Sequence, residues 1–171
     1  MKVSVSGELL DVVDECDRVT GVKTRGEIHA RGLMHRAVHI LVFNPRRDLL
    51  VQKRSILKDE NPGLWDSSCA GHVDSGETYA ACARRELGEE LGMVSIPRLE
   101  YLFHFDPSAD NGMEHSHVYR CHYAGLLHPQ VEEIDELAWW RPEHVDRLVG
   151  DEESALTRVF RDIWRRYRET V

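Results

Sequence analysis

Short apolar blocks separated by turn residues run the length of the chain, and their spacing predicts the elements. Residues 8–13 (ELLDVV) predict a strand, followed by a turn over DECDRVTG. Thr24 caps a predicted helix over residues 25–31, with Glu27 three positions on completing a capping box. AVHILVF (37–43) and LLVQKR (49–54) flank the turn NPRRD and predict a hairpin. Residues 55–70 are rich in loop signals, with Pro62–Gly63 as punctuation. Ala80, Ala83, Leu87 and Leu91 recur at helical spacing and predict a helix from about Thr78 to Leu91, stopped by Gly92. Strands are expected near 98–105, 117–124 and 137–141, with DPSADNG a long turn between the first two. Pro142 opens a short helix, PEHVDRLV. A last helix over about 154–169 puts Val159, Phe160, Ile163, Trp164 and Tyr167 on one side. Mixed strands with a central and a terminal helix predict an α/β protein in α/β/α layers, as one domain over residues 1–171 with an N-terminal extension over about 1–34.

The central helix carries unusual chemistry. Glu86, Glu89 and Glu90 fall within five residues. Positions i, i+3 and i+4 share a helix face, where like charges repel by a few tenths of a kcal/mol each. A divalent cation would offset that repulsion. The apolar stripe of the same helix holds the carboxylates at a fixed height against the protein body. Hard oxygen ligands on a rigid element suit Mg²⁺, with Mn²⁺ as a substitute. Such an ion polarises a phosphoryl oxygen and lowers the pKa of water, and a nearby glutamate takes the proton. Before the helix, Gly71 and Gly76 bracket a loop where backbone can approach a ligand closely, and the Ala70 carbonyl is positioned to add one oxygen. Arg85 pairs with Glu77 or Glu86.

Composition narrows the partners. The 171 residues (19.7 kDa) are 42% hydrophobic, enough for an ordinary globular core. No apolar run approaches the roughly 20 residues of a membrane span, and MKVSVSGELLDVVDE lacks the apolar stretch of a secretory signal. The net charge of -8 disfavours nucleic acid and anionic membranes but leaves room for a small anionic ligand in a local cationic pocket. Cys16, Cys69, Cys82 and Cys121 form no CxxC pair and read as reduced thiols, pointing to the cytoplasm. Oligomeric state leaves no mark in the sequence.

Residues 71–93, GHVDSGETYAACARRELGEELGM, match without a gap the pattern GX5EX7REUXEEXGU, with U a bulky aliphatic. By this stretch the chain resembles the Nudix superfamily. The resemblance implies an α/β/α sandwich with a mixed sheet and Mg²⁺-dependent hydrolysis of a nucleoside diphosphate linked to another group. Glu86 and Glu90 would be metal ligands, and Glu89 a further ligand or the base. Arg85, Glu77 and Gly71 would support them. The catalytic glutamate of such proteins sometimes lies outside the box, which keeps Glu114, Glu132, Glu133 and Glu136 open.

A broader resemblance covers about residues 8–141. MHRAVHILVFN, LLVQKRS, KDENPGLWDSSCAGH and the late ELAWW are similar to the isopentenyl-diphosphate isomerase branch of the superfamily. In those isomerases histidines and glutamates hold a metal, and a cysteine and a glutamate move the proton. His35 and His72 align with two of the histidines, His29 roughly with a third, and Glu114 with a glutamate. The cysteine position falls on Ala70, with Cys69 displaced by one residue and so pointing the other way along a strand. The second acidic position falls on Ser116. The intact box and the missing cysteine favour a hydrolase acting on a phosphoanhydride of a nucleoside di- or triphosphate or a related derivative. An isomerase or a non-catalytic nucleotide sensor are the alternatives.

Three features remain. Lys53 and Arg54, just before the loop into the box, are candidates to meet phosphate charge. Trp65 is expected to pack its loop, and Trp139 and Trp140 to divide between surface and core. His115 and His117 share a strand face, but spacing supplies no third ligand for a zinc site.

Overall fold

The computed structural model describes residues 7–171, so the first six residues of the predicted extension lie outside it. Among the described residues, nine strands and four α-helices follow one another. β1 (Leu9–Val13) and β2 (Val19–Thr24) form an antiparallel hairpin of their own. The other strands are β3 (His35–Phe43), β4 (Leu49–Arg54), β5 (Trp65–Asp66), β6 (Cys69–His72), β7 (Glu100–Phe105), β8 (Glu114–His122) and β9 (Ile134–Trp140). They build a seven-stranded mixed sheet in the order β5-β4-β3-β8-β7, with β6 paired to β3 and β9 to β4. β3 and β8 run parallel over nine residue pairs, from His35–Glu114 to Phe43–His122, while the other pairings are antiparallel.

The sheet is covered on both faces, which is why β3 reads as a nearly continuous apolar run. Helix α2 (Tyr79–Leu91) lies on one face, where Val38, Ile40, Val42, Leu50, Cys69, Cys82, Ala83, Leu87 and Leu91 share a core. Helices α3 (Pro142–Gly150) and α4 (Arg158–Thr170) lie on the other, with Leu41, Phe43, Leu49, Val51, Val118, Phe160, Ile163 and Trp164. Each large side chain so buried contributes roughly 1.5–3 kcal/mol. These layers are the expected α/β/α sandwich.

Local chemistry sets the helix ends. Helix α1 (Arg25–Arg31) has the predicted capping box: Thr24 accepts from Glu27 N, and Glu27 accepts from Thr24 N. In α2 the Thr78 hydroxyl accepts from Ala81 N at 3.1 Å, and Gly92 ends the helix at φ +63°. A Cβ on residue 92 would also come within 2.5 Å of the His128 carbonyl oxygen. Thr157 caps α4, which starts at Arg158, four residues later than expected. Arg161 explains the delay: it is 5% exposed and donates to the carbonyls of Leu148, Val149, Asp151 and Ser154, tying the preceding loop down as non-helical backbone.

Several elements differ from expectation. β2 occupies the end of the predicted turn; its residues are mostly exposed, so no buried face marks it in the sequence. β5 and β6 lie in and just beyond the stretch read as loop, and both are too short to show a period. β8 starts three residues before its predicted limit, because His115 and Ser116 are buried polar residues. Ala80 is exposed, and Cys82 takes its place in the core stripe of α2. Trp65 packs at 4.8 Å on Trp140, while Trp139 is 37% exposed. Cys16, Cys69, Cys82 and Cys121 are all free thiols. No helix among the described residues is long and apolar enough to cross a membrane.

Candidate active site

β6 inserts beside β3 and presents the site. Its alternation sends neighbouring residues to opposite faces. Cys69 and Gly71 pair with Ile40 and Val38 on the α2 side, whereas Ala70 and His72 pair with His39 and Ala37 on the α4 side. The two faces carry two different constellations.

On the α2 face stand Glu86 and Glu90, one helical turn apart. Glu86 is buried against the bare Cα of Gly71, where any Cβ would overlap its carboxyl group. Burial first, and the neighbouring Glu90 charge second, push the Glu86 carboxyl up to about 8, against the pull of Arg85. Burial likewise pushes Glu90 up to about 7, against a hydrogen bond from Gln52 Nε2 at 3.1 Å. Among the described residues, Arg85 is the one cation in contact with Glu86, and it does not offset the burial and mutual repulsion of the two carboxyls. The oxygen-only donor set and the close backbone of Gly71 fit a hard divalent cation.

Arg85 organises the rim. Its Nε and Nη2 donate to the two oxygens of Glu77, each at 2.9 Å. Its Nη1 donates to Glu86 at 2.8 Å and to Glu89 at 3.1 Å, and Nη2 also donates to the His72 carbonyl at 3.1 Å. Glu77 in turn accepts from Asp74 N at 3.1 Å, so the loop into α2 is fixed to the helix. Burial would raise the Glu77 carboxyl, but Arg85 holds it below its ordinary value. Glu89 lies outward, its side chain 56% exposed, apart from the buried Glu86 and the half-buried Glu90.

On the opposite face, His29, His35 and His72 bring one ring nitrogen each within 4.8 Å of one another. His35 Nδ1 lies 2.9 Å from the Leu33 carbonyl oxygen; a carbonyl only accepts, so the proton sits on Nδ1. The buried Nε2 is left without a hydrogen-bond partner. Glu114 Oε1 stands 3.0 Å from His72 Nε2 and 3.5 Å from His35 Nε2. Burial would raise the Glu114 carboxyl, but the two imidazoles hold it well below the usual carboxylate range. His39 is buried beside them, 3.3 Å from Ser67 Oγ, and burial lowers its pKa. An orphaned imidazole lone pair facing two further imidazoles and a carboxylate also fits a divalent cation.

The remaining predicted residues are dispersed. Ala70 lies in β6 opposite His39. Arg54 donates to the Glu60 carbonyl at 3.0 Å and sits 3.5 Å from Asp66, while Lys53 pairs in register with Trp65 and Glu136. Glu133 forms an ion pair with Lys58 and adds negative charge near Glu90. Glu132 and Glu136 are exposed. Sequence reasoning passed over Gln52 and Lys58. Gln52 had a signal: in LLVQKR it shares a strand face with Leu50, an amide where a core side chain is expected. Lys58 had none, since its partner lies 75 residues away.

A three-layer sandwich whose central helix aims paired glutamates at a glycine of the neighbouring strand defines an α/β protein of Nudix type. The chain belongs to the NUDIX domain family, matching it over residues 33–162. It is 41% identical over 140 residues to an uncharacterised Nudix hydrolase of Streptomyces coelicolor, covering 80% of this chain and 75% of that one. It is 31% identical over 159 residues to isopentenyl-diphosphate Delta-isomerase 2 of Photorhabdus laumondii, covering 91% of this chain and 90% of the isomerase. The solved structure of the DR0079 protein from Deinococcus radiodurans superposes with a TM-score of 0.81 at 29% identity, covering 93% of this chain and 98% of that one.

Proposed function

We propose that this chain, acting as one Nudix domain, is a Mg²⁺-dependent hydrolase cleaving a phosphoanhydride bond of a nucleoside di- or triphosphate or a related nucleoside diphosphate derivative. The observation that supports the proposal is Glu86 buried against Gly71, one helical turn from the half-buried Glu90, with both carboxyls raised. Glu86 and Glu90, with the Ala70 carbonyl and Glu89, would hold the ion. When bound, Mg²⁺ neutralises phosphate charge and lowers the pKa of water. Glu89, exposed at the rim beside Arg85, would accept the proton of the attacking water. Arg85 and Glu77 are positioning residues, keeping the loop before α2 and the Glu86 carboxyl in one geometry. Lys53 and Arg54 are assigned to substrate phosphate, Arg54 by exchanging its Asp66 contact.

His29, His35, His72 and Glu114 would hold a second ion on the other face, as the likeness to the isomerase branch implies. That likeness supports the runner-up reading, an isoprenoid diphosphate isomerase. Against it, position 70 is alanine, and the Cys69 thiol is buried in the α2 core, where burial first and the Glu90 and Glu86 charges next push its pKa far up. A proton-moving thiol is therefore missing from the histidine face.

The test is a phosphate-release screen with Mg²⁺ over nucleoside mono-, di- and triphosphates, dinucleoside polyphosphates, NDP-sugars, NADH and coenzyme A. The proposal expects turnover of at least one class and its loss in Glu86→Gln and Glu90→Gln. Tight binding of a nucleotide with no turnover would replace it with a sensor role. Deuterium uptake from heavy water into isopentenyl diphosphate would replace it with the isomerase.

A further inference from the structure

One more set of ligand-type side chains converges away from both constellations. His104 lies near the end of β7, Asp106 just beyond it, and His115 near the start of β8. His104 Nε2 is 3.4 Å from His115 Nδ1 and 3.3 Å from Asp106 Oδ1. One ligand atom from each residue falls within 4.8 Å of the others. His115 is 1% exposed, and its Nε2 lies 2.9 Å from the carbonyl oxygen of Asp14. The carbonyl only accepts, so Nε2 carries the proton and Nδ1 turns its lone pair toward His104. A metal-ligating histidine is held in the same way, its second nitrogen donating to a backbone carbonyl. His117 shares this face but stacks on Tyr79 at 3.5 Å and takes no part. Without an ion, a proton on His104 Nε2 bridges to His115 or Asp106.

We propose that His104, Asp106 and His115 form a separate site for a borderline divalent cation of the Zn²⁺ class, with the fourth position open to water. Two imidazole nitrogens and one carboxylate oxygen are the donor set such ions take. The ion replaces the bridging proton and joins the two ends of the loop between β7 and β8. That loop ends at Glu114, whose carboxylate stands on the far face beside His72. The site therefore clasps the segment that positions Glu114. The proposal does not depend on the hydrolase reading.

The test titrates Zn²⁺ into the full chain by calorimetry, in excess Mg²⁺ to occupy hard carboxylate sites. His72→Ala removes a ligand from the histidine cluster and isolates the new site. His104→Ala and Asp106→Asn act at positions with 37% and 84% exposed side chains, where the fold tolerates change. The expected result is that His72→Ala still binds one equivalent of Zn²⁺. Adding His104→Ala abolishes it, and adding Asp106→Asn weakens it by at least about tenfold, since loss of even an outer-shell partner has that effect. Co²⁺ should give the visible absorption of a low-coordinate site in the His72→Ala protein and lose it with His104→Ala. The proposal is overturned if His72→Ala protein binds no Zn²⁺, or if its binding is unchanged by His104→Ala.

Discussion

The Glu86 carboxyl occupies the space that a side chain on Gly71 would need. The glycine in GHVDSGE is therefore a steric requirement of the acidic pair. Gly71→Ala should displace Glu86 and lower Mg²⁺-dependent turnover by about 100-fold, the cost of misplacing a reacting group by about 1 Å. Circular dichroism should show a retained fold, because the added methyl meets side-chain atoms of Glu86 and not backbone. Turnover within twofold of wild type would show that Glu86 does not need its present position.

Glu86→Gln and Glu90→Gln should each cut turnover by about 100-fold or more, since either change removes a charged ligand. Above about pH 8, where both carboxyls ionise, their metal-free thermal stability should equal or exceed that of the wild type, because each amide removes one of two neighbouring like charges. A parallel fall in activity and melting temperature would make these residues structural.

The raised carboxyls also set a pH dependence. Glu86 and Glu90 are pushed up to about 8 and about 7, so the folded chain holds protons that the unfolded chain has released. A raised folded pKa contributes stability that is complete below the ordinary carboxylate value and is lost as pH rises through the folded value. Metal-free protein should thus melt at a lower temperature at about pH 9 than at about pH 6. Mg²⁺ should raise the melting temperature more at the higher pH, because binding must expel those protons. Scanning calorimetry with and without Mg²⁺ measures both, and the Gln variants should flatten the slope.

Arg85 reaches Glu77, Glu86, Glu89 and the His72 carbonyl at once. A lysine keeps the charge but cannot span those acceptors. Arg85→Lys should lose about tenfold or more in kcat/KM, and about 1.5–3 kcal/mol of stability for the hydrogen bonds left unmade. Equal kcat/KM in the two proteins, by steady-state kinetics, would remove its positioning role.

The layered fold and the acidic helix are legible in the sequence because both are local patterns: a capped amphipathic helix with Glu86 and Glu90 one turn apart, and apolar strands bounded by turns. The site as a whole is not local. Gln52 reaches Glu90 from 38 residues away, and Glu114 meets His72 across 42. β6 is four residues long, so no period marks it, yet it separates the acidic pair from the histidines. Glu89 illustrates the reverse limit: helical spacing puts it with Glu86 and Glu90, but packing leaves it at the rim under Arg85.

The parallel pairing of β3 with β8 has a consequence for how this chain can vary over evolutionary time. Glu114 and His115 are adjacent on β8 yet serve opposite sides of the sheet, as do His35 and Arg36 on β3. Losing or gaining one residue in either strand would exchange the two sets wholesale, sending histidines into the oily interior and apolar groups into the polar clefts. Drift along these strands must therefore proceed by replacement at constant length, and length changes should collect in the loops that join them.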